Sequence, residues 1–267
     1  MKIKYLLVVF TAFAISSCTW GGSNEQAPAI NKDTLLYTYK VLKLRDSRCG
    51  NKPDSECALV NIKYPEFNHA SSLNDSVKHK LLTMFWSDSL SVTDTSLQKF
   101  AKDFIGLSVK DIIKEPSAVY TVESSAIVER QDSSLTTIYF SGHSYAGGAH
   151  GGSDYSFINW NTKAARTIKL TDLFIDGYNE KLTEIAEKIF RKQEKLSDTA
   201  SLKDDYFFKN AKFALNNNFL ITPTGLTFLY NEYEIKSFAA GITQLNIPYE
   251  QIKFLLRPNT VIAQYIK

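Results

Sequence analysis

Hydrophobic positions recur with two different periods along this chain, and each change of period marks a change of element. Thr34 to Arg45 is rich in β-formers and partly alternating, which predicts a strand. Cys57 to Tyr64 predicts a second strand, ended by Pro65. Between Ser71 and Trp86 the period lengthens: Leu73, Val77, Leu81, Met84 and Phe85 fall at three- and four-residue steps and share one helical face, with Ser72 as a capping residue. A second helix is expected from Asp94 to Gly106, with Leu97, Phe100, Ala101, Phe104 and Ile105 inward. Alternation returns at Ser117 to Val128. The turn-forming cluster Arg130 to Ser134 then leads into Leu135 to Phe140, so an antiparallel hairpin is the natural reading.

Further along, Tyr155 to Trp160 predicts a strand, Asn161 to Lys163 a turn, and Thr167 to Leu170 a short returning strand. Asn179 to Arg191 has helical spacing, with Leu182, Ile185, Ala186, Ile189 and Phe190 on one side. Phe219 to Thr222, the turn Pro223-Thr224-Gly225 and Leu226 to Tyr230 form a second hairpin pattern. Gln244 to Ile247 is the last strand, and Pro248 suits the first turn of a short helix reaching Leu256. Grouped strands with few helices between them predict an α+β fold: antiparallel sheets with helices packed on one face, in two closely associated subdomains.

Between the first hairpin and the next strand lies the stretch Tyr139 to Gly152, which holds five of the chain's 12 glycines and two of its 4 histidines. Glycine is needed where backbone takes positive φ or another surface comes close, so the cluster predicts a shaped loop. Its aromatic neighbours Tyr139, Tyr145, Tyr155 and Trp160 offer stacking and hydrogen-bonding surface if they face outward, or core packing if they face inward.

The N-terminal residues read as an export signal. Lys2 and Lys4 precede an uncharged, mostly apolar run from Tyr5 to Ile15, too short to span a bilayer as a helix. Ile15-Ser16-Ser17-Cys18 resembles the lipobox of bacterial lipoproteins, which implies cleavage before Cys18 and its acylation, hence a membrane anchor. Trp20 to Ile30 lacks periodicity and reads as a tether. Removing Lys2 and Lys4 leaves 29 basic against 28 acidic residues, so no basic stripe argues for nucleic acid. The remaining cysteines, Cys49 and Cys57, enclose turn-forming residues and are expected to join as a disulfide in an oxidising compartment.

Three chemistries are conceivable for the glycine stretch. Gly142-His143-Ser144-Tyr145-Ala146 looks like a nucleophile elbow, but its fifth residue is alanine, no helix follows, and no histidine lies beyond His150 to complete a triad in the required order. His143, His150 and Asp154 offer metal-ligand types for a hydrolase or deacetylase, although the seven-residue offset does not match a helical pair. Phosphate cradling needs a glycine fingerprint before a helix, and neither is present. His69 and His79 read as surface residues.

At Tyr145-Ala146-Gly147-Gly148-Ala149-His150-Gly151 the chain resembles an extracytoplasmic domain with the signature Y-x-G-G-A-H-G, found in a lysozyme-sensing anti-sigma factor and beside some peptidoglycan deacetylase domains. Leu170 to Phe174, Phe219 to Ile235 and Ala240 to Tyr249 are similar to further segments of that family, and Ile62 to Pro65 with Leu73-Asn74 to its N-terminal companion domain. The N-terminal residues and lipobox set a signal peptide over residues 1–17 and an anchor and tether over 18–33, and the resemblance implies the companion domain over 34–138 and the glycine-motif domain over 139–267. It also implies a non-enzymatic binding module for lysozyme or cell-wall glycan at the cell envelope, without a cofactor. Its candidate ligand-binding residues are His143, Tyr145, Gly147, Gly148, His150 and Asp154.

Overall fold

The structure, a computed structural model, describes residues 34–85, 96–111, 119–132 and 134–266. Cys18, the signal peptide and the tether therefore lie outside the described residues, as do Trp86, Asp94 and Ser117 at the expected ends of three elements.

The first half builds a six-stranded sheet. Strands β1 (Tyr37–Arg45) and β2 (Leu59–Phe67) pair antiparallel, with Leu42 opposite Ile62. Helices α1 (Ser71–Thr83) and α2 (Leu97–Asp111) follow. The chain then returns as β3 (Thr121–Asp132), β4 (Leu135–Tyr145), β5 (Gly152–Asn161) and the short β6 (Arg166–Thr167), in the order β1-β2-β3-β4-β5-β6. All neighbours are antiparallel except β2 and β3, which run parallel from Leu59–Thr121 to Lys63–Ser125. The helical connection between them is what a parallel pair requires, because a tight turn cannot return the chain in the same direction.

Two local expectations are corrected. Pro65 does not end β2: the strand continues to Phe67, beyond the last residue bonded to β3, where β2 has a neighbour on one side only and a proline is tolerated. Ser72 does not cap α1. It lies inside the helix, while the Asn74 carboxamide accepts from the Phe67 N–H at 2.8 Å and donates to the Phe67 carbonyl at 2.9 Å, tying the helix entry to the end of β2.

Apolar side chains of the first core come from α1 and α2 (Leu73, Val77, Leu81, Phe100, Phe104) and from alternate sheet positions such as Val60, Ile62, Val122, Ile138 and Phe140. Both helices thus cover one face of the sheet. The Cys49–Cys57 disulfide closes the β1–β2 connection with Cα atoms 5.9 Å apart, as expected.

The second unit begins with α3 (Leu170–Leu173) and α4 (Tyr178–Gln193), adds the antiparallel sheet β7 (Phe219–Ile221), β8 (Gly225–Tyr230) and β9 (Thr243–Pro248), and continues into α5 (Tyr249–Ile252). Its core runs from Ile168 through Leu182, Phe190, Phe208 and Phe228 to Ile262. The expected boundary after residue 138 falls inside β4: Ile138, Phe140, Ile158 and Trp160 all belong to the first core, so the cores part near β6 instead.

Asparagine side chains join the two units along the free edge of β5. Asn159 on β5 donates to the Phe219 carbonyl at 2.7 Å and accepts from the Ile221 N–H at 2.9 Å. Asn218 donates to the Tyr155 carbonyl at 2.8 Å and accepts from the Phe157 N–H at 3.1 Å. Asn231 accepts from the Tyr155 N–H at 2.8 Å. These carboxamides satisfy edge backbone groups that a further strand would otherwise pair.

Candidate functional site: the open face of the sheet

The glycine stretch resolves into a strand, a short connection and a strand. Ser141 to Tyr145 extend β4, Gly152 opens β5, and only residues 146–151 connect them. Gly142 sits within β4, where a Cβ would come 2.3 Å from the Phe85 ring, so the glycine there serves packing beneath the sheet. Gly147 and Gly148 take φ of 86° and 85°, the left-handed region that side chains disfavour. The Tyr145 hydroxyl donates to the Gly148 carbonyl at 3.0 Å and fastens the turn. Ser144 pairs with Gly152 in the ladder and no helix follows it, so the strand-to-helix elbow of a hydrolase is not formed.

Register decides which motif residues can act together. His143 lies opposite Ser153, and Gly142 opposite Asp154. Successive strand residues point to opposite faces, so His143 stands on the open face whereas Asp154 stands on the helix-covered one. His150 turns away to the second unit: its ring stacks on Phe238 at 4.5 Å and beside Tyr233 at 6.3 Å, while its Nδ1 meets the Gly151 carbonyl at 2.8 Å. His143, His150 and Asp154 are therefore not gathered as ligands, and among the described residues no group of three or more His, Cys, Asp or Glu could hold a metal ion. Of the motif's aromatic neighbours, Trp160 is buried in the first core, while Tyr139 and Tyr155 face outward.

Asp154 has its own setting. Burial pushes its carboxyl up to about 6, with the Lys80 ammonium on α1 opposing and Glu234 adding to the rise. The Asn231 carboxamide approaches it at 3.4 Å.

The outward sheet face is organised in rows, because residues opposite each other on neighbouring strands share a face. One row is polar: Lys43, Asn61, Glu123, His143 and Ser153. The next is Val41, Lys63, Ser125, Ser141 and Tyr155, in which the two serine hydroxyls bond at 3.0 Å. Beyond it, Ile127, Tyr139 and Phe157 form an apolar row. Tyr139 stacks on Tyr155 with centroids 6.3 Å apart and planes within 7°, and Phe157 lies 5.6 Å from Tyr139. Burial against these neighbours, with the negative charge potential of Tyr155 and Glu129 nearby, holds the Tyr139 phenol above its ordinary pKa. On the far side Tyr39 receives the Val128 N–H at 3.2 Å on its hydroxyl, and the Lys63 ammonium lies 4.7 Å from its ring centroid.

On the same face is a groove of about 410 Å³ lined by Asn61, Lys63, Glu123, Ser141, His143 and Tyr155. The His143 Nδ1 and the Ser153 hydroxyl lie 3.3 Å apart at its end. Aromatic rings beside fixed hydroxyl, carboxamide and imidazole groups form an amphipathic surface, suited to a ligand with both apolar C–H faces and hydroxyls. Of the six ligand-binding candidates only His143 lines this groove, joined by Tyr155 from the aromatic neighbours; Asn61, Lys63, Glu123 and Ser141 were missed. Their alternation was visible in the sequence, but the parallel pairing that sets β2 beside β3 was not.

Residues 171–250 match the family described as protein of unknown function (DUF3298), and residues 51–153 match the family described as deacetylase PdaC. No curated protein matches the chain. A DUF3298 family protein from Pseudomonas aeruginosa PAO1 is similar in structure with a TM-score of 0.67 and 23% identity, covering 85% of this chain and 96% of that one. A member of the same family from Bacteroides fragilis NCTC 9343 aligns with a TM-score of 0.64 and 22% identity, over 88% of this chain and 99% of its own. At this identity the likeness establishes a common fold.

Proposed function

We propose that the protein is a non-enzymatic binding module of the cell envelope and that its ligand is cell-wall glycan, received on the open face of the six-stranded sheet. The single observation that carries this reading is the stack of Tyr139 on Tyr155, with Phe157 beside it, on the same open face as the polar row of Asn61, Glu123, His143 and Ser153. A sugar ring has an apolar face that packs on aromatic rings, and equatorial hydroxyl and acetamido groups that reach the flanking polar side chains. The two family matches favour an extracytoplasmic setting, and the Cys49–Cys57 disulfide accords with an oxidising compartment. Attachment through lipid on Cys18 belongs to the same proposal and would hold the sheet near the wall.

The residues around the glycine turn support the site indirectly. Tyr145, Gly147 and Gly148 shape the β4–β5 connection, and His150 docks that connection onto Tyr233 and Phe238. They fix the hairpin that presents Tyr139, His143 and Tyr155. Co-sedimentation with purified peptidoglycan sacculi tests the reading. The full chain is expected to pellet, and the double variant Tyr139→Ala/Tyr155→Ala to remain in solution with its thermal transition retained. Equal pelleting of both proteins, or of neither, contradicts the proposal. Calorimetry with lysozyme, the other ligand implied by the sequence resemblance, serves as the competing arm: saturable lysozyme binding without sacculus binding would replace glycan by protein as the ligand.

A further inference from the structure

A second cleft, of about 630 Å³, lies on the other side of β5 from the open-face groove, between α1 and the start of the second unit. Ser76, His79, Lys80 and Thr83 line it from α1, Thr167 to Thr171 from the segment spanning β6 and α3, and Tyr178, Asn217 and Phe219 from the second unit. Two lysines and several hydroxyl-bearing residues line the cleft, and no Asp or Glu is among the residues lining it, although the Lys169 charge also acts on Asp172 just beyond it. Its apolar side is supplied by Ile158, Ile168, Leu170 and Phe219, which also belong to the two cores. Contrary to the surface role expected for it, His79 is half-buried, and its Nδ1 is buried without a hydrogen-bond partner among the described residues.

We infer that this cleft is a binding site for a small organic anion, a carboxylate or phosphate monoester carrying an apolar body, with Lys80 and Lys169 receiving the charge and Ile158, Leu170 and Phe219 the apolar part. Lys80 is the key group. It is half-buried, and burial lowers its pKa from the ordinary lysine value, with the Asp154 carboxylate opposing that effect. A half-buried ammonium with no carboxylate in ion-pair contact gains more from an arriving anion than a fully exposed lysine does, because less solvation is lost on pairing. Lys169, at the entry to α3, is exposed and supplies the second charge at the mouth. Phe157, which stands beside Tyr139 on the open face, also lines this cleft, so the two sites adjoin across β5; the groove residues Asn61, Glu123, His143 and Tyr155 do not line it, and their substitution separates the two readings.

The test is calorimetry of the full chain with four probes at low salt: phenyl phosphate, benzoate, inorganic phosphate and benzyl alcohol. The two aromatic anions are expected to bind with a stoichiometry of about one, at least about tenfold more tightly than benzyl alcohol or inorganic phosphate, and more weakly as salt is raised. Lys80→Met, which keeps most of the apolar stem and removes the charge, is expected to weaken phenyl phosphate by about tenfold or more, whereas Tyr155→Ala leaves it unchanged. Should Lys80→Met fail to fold, Lys169→Gln at the exposed mouth carries the same test with an expected severalfold loss. Binding of benzyl alcohol as tight as benzoate, phenyl phosphate affinity unaltered in the lysine variants, or no binding of any probe would overturn the inference. Inorganic phosphate binding as tightly as phenyl phosphate would overturn the apolar half of it.

Discussion

Asn159→Ala should damage the protein far more than an average polar substitution, because this one carboxamide takes the place of a neighbouring strand for β7. Asn159 is 2% exposed. Its amide donates to the Phe219 carbonyl at 2.7 Å and accepts from the Ile221 N–H at 2.9 Å, both buried. Truncation leaves one buried donor and one buried acceptor without partners, at roughly 1–3 kcal/mol each, so the expected loss is about 3 kcal/mol after local relaxation. For a chain of this size that corresponds to a fall in Tm of about 6–12 °C. Urea denaturation measures the free energy, and hydrogen exchange locates it: the Ile221 amide should lose protection before the amides of β8. Asn246→Ala is the control, since its bond from the Thr227 hydroxyl at 2.7 Å is exposed and should be worth about 0.5 kcal/mol. A destabilisation by Asn159→Ala no larger than that of Asn246→Ala would refute the assignment of this seam as a structural joint.

Three further predictions rest on other parts of the fold. A Cβ on Gly225 would come 2.2 Å from the Ile247 carbonyl oxygen and 2.9 Å from Pro248 Cα, both backbone, so Gly225→Ala should cost at least about 2 kcal/mol by forcing β8 from β9; a urea midpoint within error of wild type would contradict this. Asp154, with a folded-state pKa of about 6 against an ordinary 3.8, binds its proton more readily when folded. Its contribution to stability is therefore fully present below about pH 4 and lost as pH rises through about 6, and Asp154→Asn should remove that slope from urea midpoints measured across the window. Parallel pH curves for the two proteins would show that burial does not govern this carboxyl. Reduction of Cys49–Cys57 should lower stability by about 2 kcal/mol, seen as a midpoint shift with reductant that is absent in Cys49→Ser/Cys57→Ser.

Much of the architecture was written in local pattern. The helix expected at Asn179 to Arg191 is α4, one residue longer at its start and two at its end, because Leu182, Ala186 and Phe190 keep strict helical spacing toward a single core. The hairpins β3–β4 and β7–β8 follow from alternation around turn residues. The parallel pairing of β2 with β3 was not legible, since strand direction depends on where two helices deposit the chain, not on any residue in the strands themselves. Nor was the asparagine seam: Asn216-Asn217-Asn218 reads as a loop in isolation, and only the neighbouring edge of β5 turns Asn218 into a strand substitute.

The candidate site was half visible for the same reason. Tyr139 and Tyr155 stood out beside the glycine stretch, and they do face outward. His143 and Asp154 appeared to be partners from their nearness in sequence, yet register sets them on opposite faces, because a one-residue offset in pairing reverses side-chain direction. Glycines that signalled one shaped loop have separate duties: Gly142 admits the Phe85 ring beneath β4, while Gly147 and Gly148 turn the chain.

The open sheet face is tested most directly by two-dimensional NMR of the full chain titrated with a soluble oligomer of N-acetylglucosamine. Saturable amide shifts confined to Asn61, Glu123, Tyr139 to His143 and Ser153 to Phe157, with the midpoint moved to higher oligomer concentration in Tyr155→Ala, are the expected result. Stacking losses of about 0.5–1.5 kcal/mol correspond to roughly two- to thirteenfold weaker binding in that variant. Shifts centred elsewhere on the molecule, or none at millimolar oligomer, would contradict it.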